Sequence, residues 1–454
     1  MKKHITLVAL AASALCANAQ QAPSSLNLYG IIDVGVTAID GYGDKTRRFV
    51  SSGTQVGSRL GVRGTEEISP GWKAMFTIEH QLYADTGSQN QQSPISGFAI
   101  PVRALVGVPN TVRNQLEPAL GQSLADSLNN KFWHRQAWVG VVTPVGAVLA
   151  GRQYSPAFAT FGRFDPHQAG NVGNAFATLT VPTGLEVRID NSVQYVAEMN
   201  GFRLNAMVGA GEGGVGNGKF WGVSAGYAAG AFDIGIAHQR RTTSEGLDSL
   251  ENTILGAAYT LGPVKMTGLY ITAKDKHPTL GAQLRAQLNA NAGIPAALKP
   301  LFLQYGTQIA NNLGFDGHLA YAGVHYMIND RNKLVVSYGQ YDDKVEAREA
   351  AIAGIALEHI LSKRTSVWIS AAGEGGRSTW AKGESQARTG WSWAAAWTAL
   401  STTSPSAWAS RPTRAPSSSR RCSRQRMRKA SWGPVWGSRA VRQRSMRCSL
   451  QASA

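Results

Sequence analysis

The sequence predicts an all-β chain that crosses a membrane as an antiparallel barrel. Three observations predict it: an export signal, a long series of segments alternating with period two, and turns that are short on one side and long on the other. The signal is residues 1–19. Lys2 and Lys3 precede an apolar stretch over 5–15, and Ala17-Asn18-Ala19 supplies an A-x-A cleavage site. Beyond it no apolar run approaches the roughly 20 residues of a spanning helix. The 50 glycines and the 16% charged residues suit strands better than helices.

The alternation is clear from the first segment, 26–39. Leu26, Leu28, Gly30, Ile32, Val34, Val36 and Ala38 share one face; Asn27, Tyr29, Asp33 and Thr37 share the other. Segments 58–68 and 72–84 repeat the pattern around the turn Ser69-Pro70-Gly71. The same test predicts strands at 132–143, 146–154, 185–199, 201–211, 219–229, 231–241, 250–261, 263–274, 317–328, 332–342, 351–361 and 365–373, making fifteen. One face of each is polar, which fits a wet lumen better than the dry interior of a sandwich. Residues 85–131, 155–184 and 275–316 are long connections. The last carries leucines at spacings that suit short helices.

Composition narrows the chemistry. The only cysteines are Cys16, Cys422 and Cys448, so the body holds no disulfide, Cys-zinc site or Cys nucleophile. The segment from Gly213 to Gly218-Lys219 imitates a phosphate loop, but Phe220 stands where a hydroxyl is needed and a strand follows. His80, His134, His238, His318 and His325 are scattered over strands. No zincin pattern or nucleophile elbow occurs. No cofactor, metal or catalytic residue is expected, and no nucleic-acid partner.

Six stretches, in order, resemble one family: SLNLYGIIDVGV at 25–36, SRLGVRGTEE at 58–67, RQAWVGV at 135–141, AGRQY at 150–154, VRIDNSVQY at 187–195 and LSKRT at 361–365. They look like the general, non-specific porins of Gram-negative outer membranes, of the β-proteobacterial type. The resemblance covers residues 1–370. It implies a 16-stranded barrel, a homotrimer in outer-membrane lipid and lipopolysaccharide, and passive diffusion of ions and small hydrophilic solutes. It also implies that the loop at 155–184 folds inward as a constriction, and that 85–131 latches onto a neighbouring subunit. An arginine ladder facing that loop would match Arg59, Arg63, Arg135, Arg152 and Arg188. Arginine stays charged at any relevant pH and sets a field across a narrow water path. The loop itself departs from the family, whose inward loop usually carries several carboxylates. Here it carries one, Asp165, beside Arg163 and His167. The excess of lumen arginines predicts weak anion preference. A substrate-selective channel and an adhesin acting through the loops are the alternative readings.

From about residue 371 the rules change. Of 45 Lys+Arg and 28 Asp+Glu, residues 371–454 hold 15 and 2, so the body is nearly neutral and the tail carries most of the net charge of +17. The family's closing strand with its terminal Phe is not recognised there; 391–400 is a weak substitute. The abrupt change predicts a shifted reading frame or a disordered tail over 371–454, in preference to a nucleic-acid or lipid A binding extension. Tryptic peptides from 411–448 are expected to be absent from outer-membrane fractions of the natural protein. Peptide mass mapping checks this, and their recovery would overturn the frame-shift reading.

Overall fold

The computed structural model describes residues 24–39, 46–88, 108–109, 131–170, 173–174, 185–211, 217–290, 294–345, 348–377 and 390–399. The expected export signal at 1–19, most of the loop at 85–131 and the chain beyond 399 lie outside them. Among the described residues seventeen strands form one sheet. They are β1 (Ser25–Ile39), β2 (Arg47–Ser52), β3 (Arg59–Ser69), β4 (Trp72–Gln81), β5 (Gln136–Thr143), β6 (Gly146–Tyr154), β7 (Arg188–Met199), β8 (Phe202–Gly209) and β9 (Phe220–Ala229). There follow β10 (Phe232–Thr242), β11 (Asp248–Leu261), β12 (Val264–Asp275), β13 (Phe315–Asn329), β14 (Asn332–Asp343), β15 (Arg348–Ser362), β16 (Thr365–Arg377) and β17 (Gly390–Ala399).

All pairings are antiparallel, and they close into a ring. From β3 to β17 each strand pairs with the next. The last, β17, pairs with Ile32–Ile39 of β1. The other edge of β1 is shared. Its Ser25–Ile31 half takes β3 and its Val34–Ile39 half takes β2. So β2 and β3 occupy one position, and the ring has sixteen.

This revises the fifteen-strand count at both ends of the chain. RRFVSS in β2 is six residues without clear alternation, so periodicity passes over it. At the other end, β16 continues through Arg377 and β17 fills the closing position. Its register sets Trp397 opposite Val34 and Val367, and Ala395 opposite Val36 and Ile369. Periodicity is weak in this stretch because only tryptophan and alanine carry its pattern. Strand β5 begins at Gln136 rather than 132, although the Arg135 N–H still reaches Glu79 O at 3.2 Å.

The two faces follow the sequence. Along β13 buried and exposed positions alternate from Leu319 to Tyr326. Leu28, Val36, Val208, Ile234, Ile355 and Ile369 are exposed on the outer face. In water such a belt would be a liability; in hydrocarbon it is the required surface. Near the short turns, Phe202 pairs with Tyr227 at 4.4 Å and Phe232 with Tyr259 at 4.6 Å, as an aromatic girdle requires.

The described part of the expected inward loop, residues 155–170 and 173–174, lies inside the barrel. After β6, Ser155 caps a helix, α1 (Pro156–Phe164), by accepting the Phe158 N–H at 3.1 Å. Phe161 and Phe164 are fully buried and pack inside the barrel against Ala237, Ile254 and Leu319. Glycines on the inner wall make room. A Cβ on Gly256 would lie 2.1 Å from the Phe164 ring, one on Gly235 2.9 Å from it, and one on Gly323 2.5 Å from Pro166. The connection at 275–316 does carry helices: α2 (Thr279–Ala290), a 3-10 turn (Ala296–Leu298) and α3 (Lys299–Asn311).

Gly256→Ala is therefore expected to unseat Phe164, at a cost of about 1–3 kcal/mol from overpacking. Urea unfolding of the refolded barrel measures it. An unchanged midpoint together with unchanged conductance would show that the notch is not needed.

Candidate functional site

Strand register brings the arginines to one stretch of inner wall. Arg59 and Arg63 lie two residues either side of Gly61, which is opposite Glu79; Glu79 is in turn opposite Gln136. On β6, Arg152 is opposite Ala137, and Tyr154 is opposite Arg188 on β7. Five guanidinium groups thus converge from β3, β6, β7 and the segment before β5.

Glu79 joins the first group. Its carboxylate accepts Arg135 Nε at 2.5 Å and the Tyr29 hydroxyl at 3.0 Å, and lies 3.6 Å from Arg59 Nη1. Glu79 is 2% exposed, so this charge requires both arginines. Arg135 also donates to Tyr154 Oη at 2.8 Å and Gln81 Oε1 at 3.3 Å. Arg188 donates to the same Tyr154 oxygen at 3.3 Å while its guanidinium lies 4.8 Å from the ring centre. Arg63 lies 5.6 Å from the centre of the Tyr29 ring. Arg152 donates to His134 O at 2.7 Å and pairs with Asp190, which also binds Lys131. Among the described residues joined by these contacts, six cations therefore face two carboxylates, Glu79 and Asp190. Burial, followed by the field of Arg188, lowers the His134 pKa to about 4, so it adds no charge at neutral pH.

The other two expected site residues hold the loop. Asp165 is 1% exposed and accepts the Ala169 N–H at 2.5 Å. Arg163 binds Asp233 at 2.5 Å, and Arg203 binds the other oxygen of that carboxylate. Beyond Asp165, His167 Nε2 meets Ser337 Oγ at 2.8 Å, and Tyr321 donates to Gly173 O. Glu79, Tyr154, Asp190 and Lys131 join the site without having been singled out by the sequence. Glu79 lies on the polar face of its strand, and Asp190 lies within the VRIDNS motif, so both had a signal.

The wall of cations, the loop packed opposite, and the closed sixteen-position ring describe a channel. The Gram-negative porin family matches residues 6–377. The chain belongs to that family. It is 26% identical over 386 residues to outer membrane porin protein 32 of Delftia acidovorans, covering 81% of this chain and 88% of that one. It is 30% identical over 217 residues to an outer membrane porin protein of Bordetella pertussis, covering 43% of this chain and 44% of that one. Among solved structures, the anion-selective porin from Comamonas acidovorans superimposes with a TM-score of 0.59 at 20% identity, over 83% of this chain and 99% of that one. The OmpT loop-deletion variant of Vibrio cholerae reaches 0.52 at 15% identity, over 83% and 99%. This porin is an outer-membrane protein that forms a passive diffusion channel.

The loop anchor generates a pH dependence. Burial, followed by the field of Lys333, lowers the His167 pKa from 6.5 to about 4. The undocked imidazole takes up its proton at the ordinary value. Docking of the loop is therefore fully stabilised above about pH 6.5 and weakens as pH falls toward about 4. Open-channel noise in planar bilayers is expected to rise on acidification from pH 7 to 4. His167→Gln is expected to remove that component; identical acid noise in the variant would exclude His167 as its source.

Proposed function

We propose that this porin conducts small hydrophilic solutes with a preference for anions. The supporting observation is the eyelet wall, where Arg59, Arg63, Arg135, Arg152, Arg188 and Lys131 stand against Glu79 and Asp190. In a narrow path with low-dielectric walls, a surplus of fixed cations raises the local concentration of anions. The Comamonas acidovorans structure that shares this fold is named an anion-selective porin, which agrees with the reading. Asp165 and Arg163 then act as struts of the loop rather than as a charged lip. The working unit of this reading is a homotrimer in outer-membrane lipid and lipopolysaccharide, and no catalysis is assigned to it. The family match stops at residue 377, close to where acidic residues vanish from the chain. That supports a foreign reading frame beyond it, in which case β17 fills the closing position by backbone pairing outside the family match; the reading keeps an export signal at 1–19 and a native barrel from residue 20.

Arg188 offers a clean test, because its described polar partner is a tyrosine and not a carboxylate. Arg188→Gln leaves no acid stranded. It is expected to lower the anion-to-cation permeability ratio by about two- to fivefold. Reversal potentials in a salt gradient measure this. A cation-selective wild-type channel would overturn the proposal.

A further inference from the structure

The ring position shared by β2 and β3 contains a feature that no strand count explains. Between Ser52 and Ser58 the chain leaves the sheet. Ser52 Oγ and Ser58 Oγ meet at 3.0 Å, and both hydroxyls turn to Asp33 O, so the base of the excursion is pinched shut. Residues 53–57 form an arch over that base. Gly53 has φ +73°, and a Cβ there would lie 3.1 Å from Gly57 Cα, so the two feet nearly touch.

What holds the arch is Asp33, an inward residue in the middle of β1 with no solvent exposure. Its Oδ1 accepts the Thr54 N–H at 2.9 Å and the Thr54 hydroxyl at 2.7 Å. Its Oδ2 accepts the Gln55 N–H at 3.0 Å and the Val56 N–H at 2.9 Å. Three successive amides around one carboxylate form an anion nest, here filled by the protein itself.

The arch touches both sides of the eyelet. Arg59 Nε donates to Gly57 O at 3.1 Å. A Cβ on Gly57 would lie 2.8 Å from Arg135 Nη1, so the guanidinium rests against the bare backbone. At the crown, a Cβ on Gly170 of the inward loop would lie 1.8 Å from Gln55 O. The arch therefore spans from the arginine wall to the tip of the loop.

We propose that Asp33 is a positioning residue of the eyelet: by holding the 53–57 arch it sets the aperture and the placement of Arg59 and Arg135. The inference rests on the diffusion-channel reading and deepens it. Asp33 touches no solute path itself; it acts through the arch. An Asn at this position cannot substitute. Whichever way its amide turns, an NH2 group faces one of the two donor pairs.

The test uses the full chain refolded into planar bilayers, with the heat-modifiable gel shift reporting a folded barrel. Asp33→Asn is expected to raise single-channel conductance by about half or more and to lower the anion-to-cation ratio by about twofold or more. Gly57→Ala leaves the Asp33 bonds intact and pushes on the Arg135 guanidinium. It is expected to change the permeability ratio while conductance stays near wild type. A folded Asp33→Asn channel with wild-type conductance and selectivity overturns the proposal. If Asp33→Asn does not fold, a wild-type permeability ratio in Gly57→Ala overturns it. Cation selectivity in the wild-type channel would sink the anion preference alone, because the conductance change reads the aperture whatever the sign of the field.

Discussion

Every backbone N–H and C=O in hydrocarbon must find its partner inside the protein, at a cost of several kcal/mol for each failure. The closed ladder of this barrel is the answer to that constraint, and the remaining features depend on it. β1 is the closing point. It carries β17 on one edge and both β2 and β3 on the other. Sixteen positions enclose a lumen wider than wall side chains alone can fill. A channel of this girth is non-selective unless further chain is brought inside it, and bringing chain inside creates a new burial problem for polar backbone.

The protein meets that second problem with carboxylates. Asp33 takes the amides of the arch, Asp165 takes an amide of the loop tip, Asp233 holds the guanidinium at the end of α1, and Glu79 is locked between two arginines. Each acid is engaged in fixing an inward segment or a neighbouring side chain. Guanidinium groups have five donors, and a single partner leaves several of them directed elsewhere. The proposed anion preference thus follows from structural use. The acids are consumed as struts inside the wall, where six cations stand against Glu79 and Asp190.

Much of the fold was legible because period two needs only local sequence. β13 could be read from its residues alone, whereas the arginine wall was implied by the resemblance of the SRLGVRG, RQAWVG, AGRQY and VRIDNS stretches to the porin family. What stayed hidden depends on register between distant strands. Glu79 could be placed on a polar face, but that Arg135 and Tyr29 would meet it follows from the alignment of β3, β4 and the segment before β5. The glycines at 235, 256 and 323 look unremarkable in sequence. They become a seat for Phe164 and Pro166 only when β10, β11 and β13 are side by side. β2 was hidden for another reason: six residues are too few to show a period.

The interruption between β2 and β3 shows how these constraints combine. Two chain segments share one ring position, so the residues between them have no place in the ladder, as in an enlarged bulge. Outward, their amides would enter hydrocarbon unpaired. Inward is the only direction left, yet the lumen beside β1 is so crowded that Asp33 is wholly buried. The amides of Thr54, Gln55 and Val56 therefore need an acceptor of their own, and a neutral residue at position 33 would leave some of them unmet. A carboxylate answers three amides and a hydroxyl at once. Closing the ring thus fixes the direction of the arch, the arch fixes the residue beneath it, and Arg59 and Arg135 rest on the result.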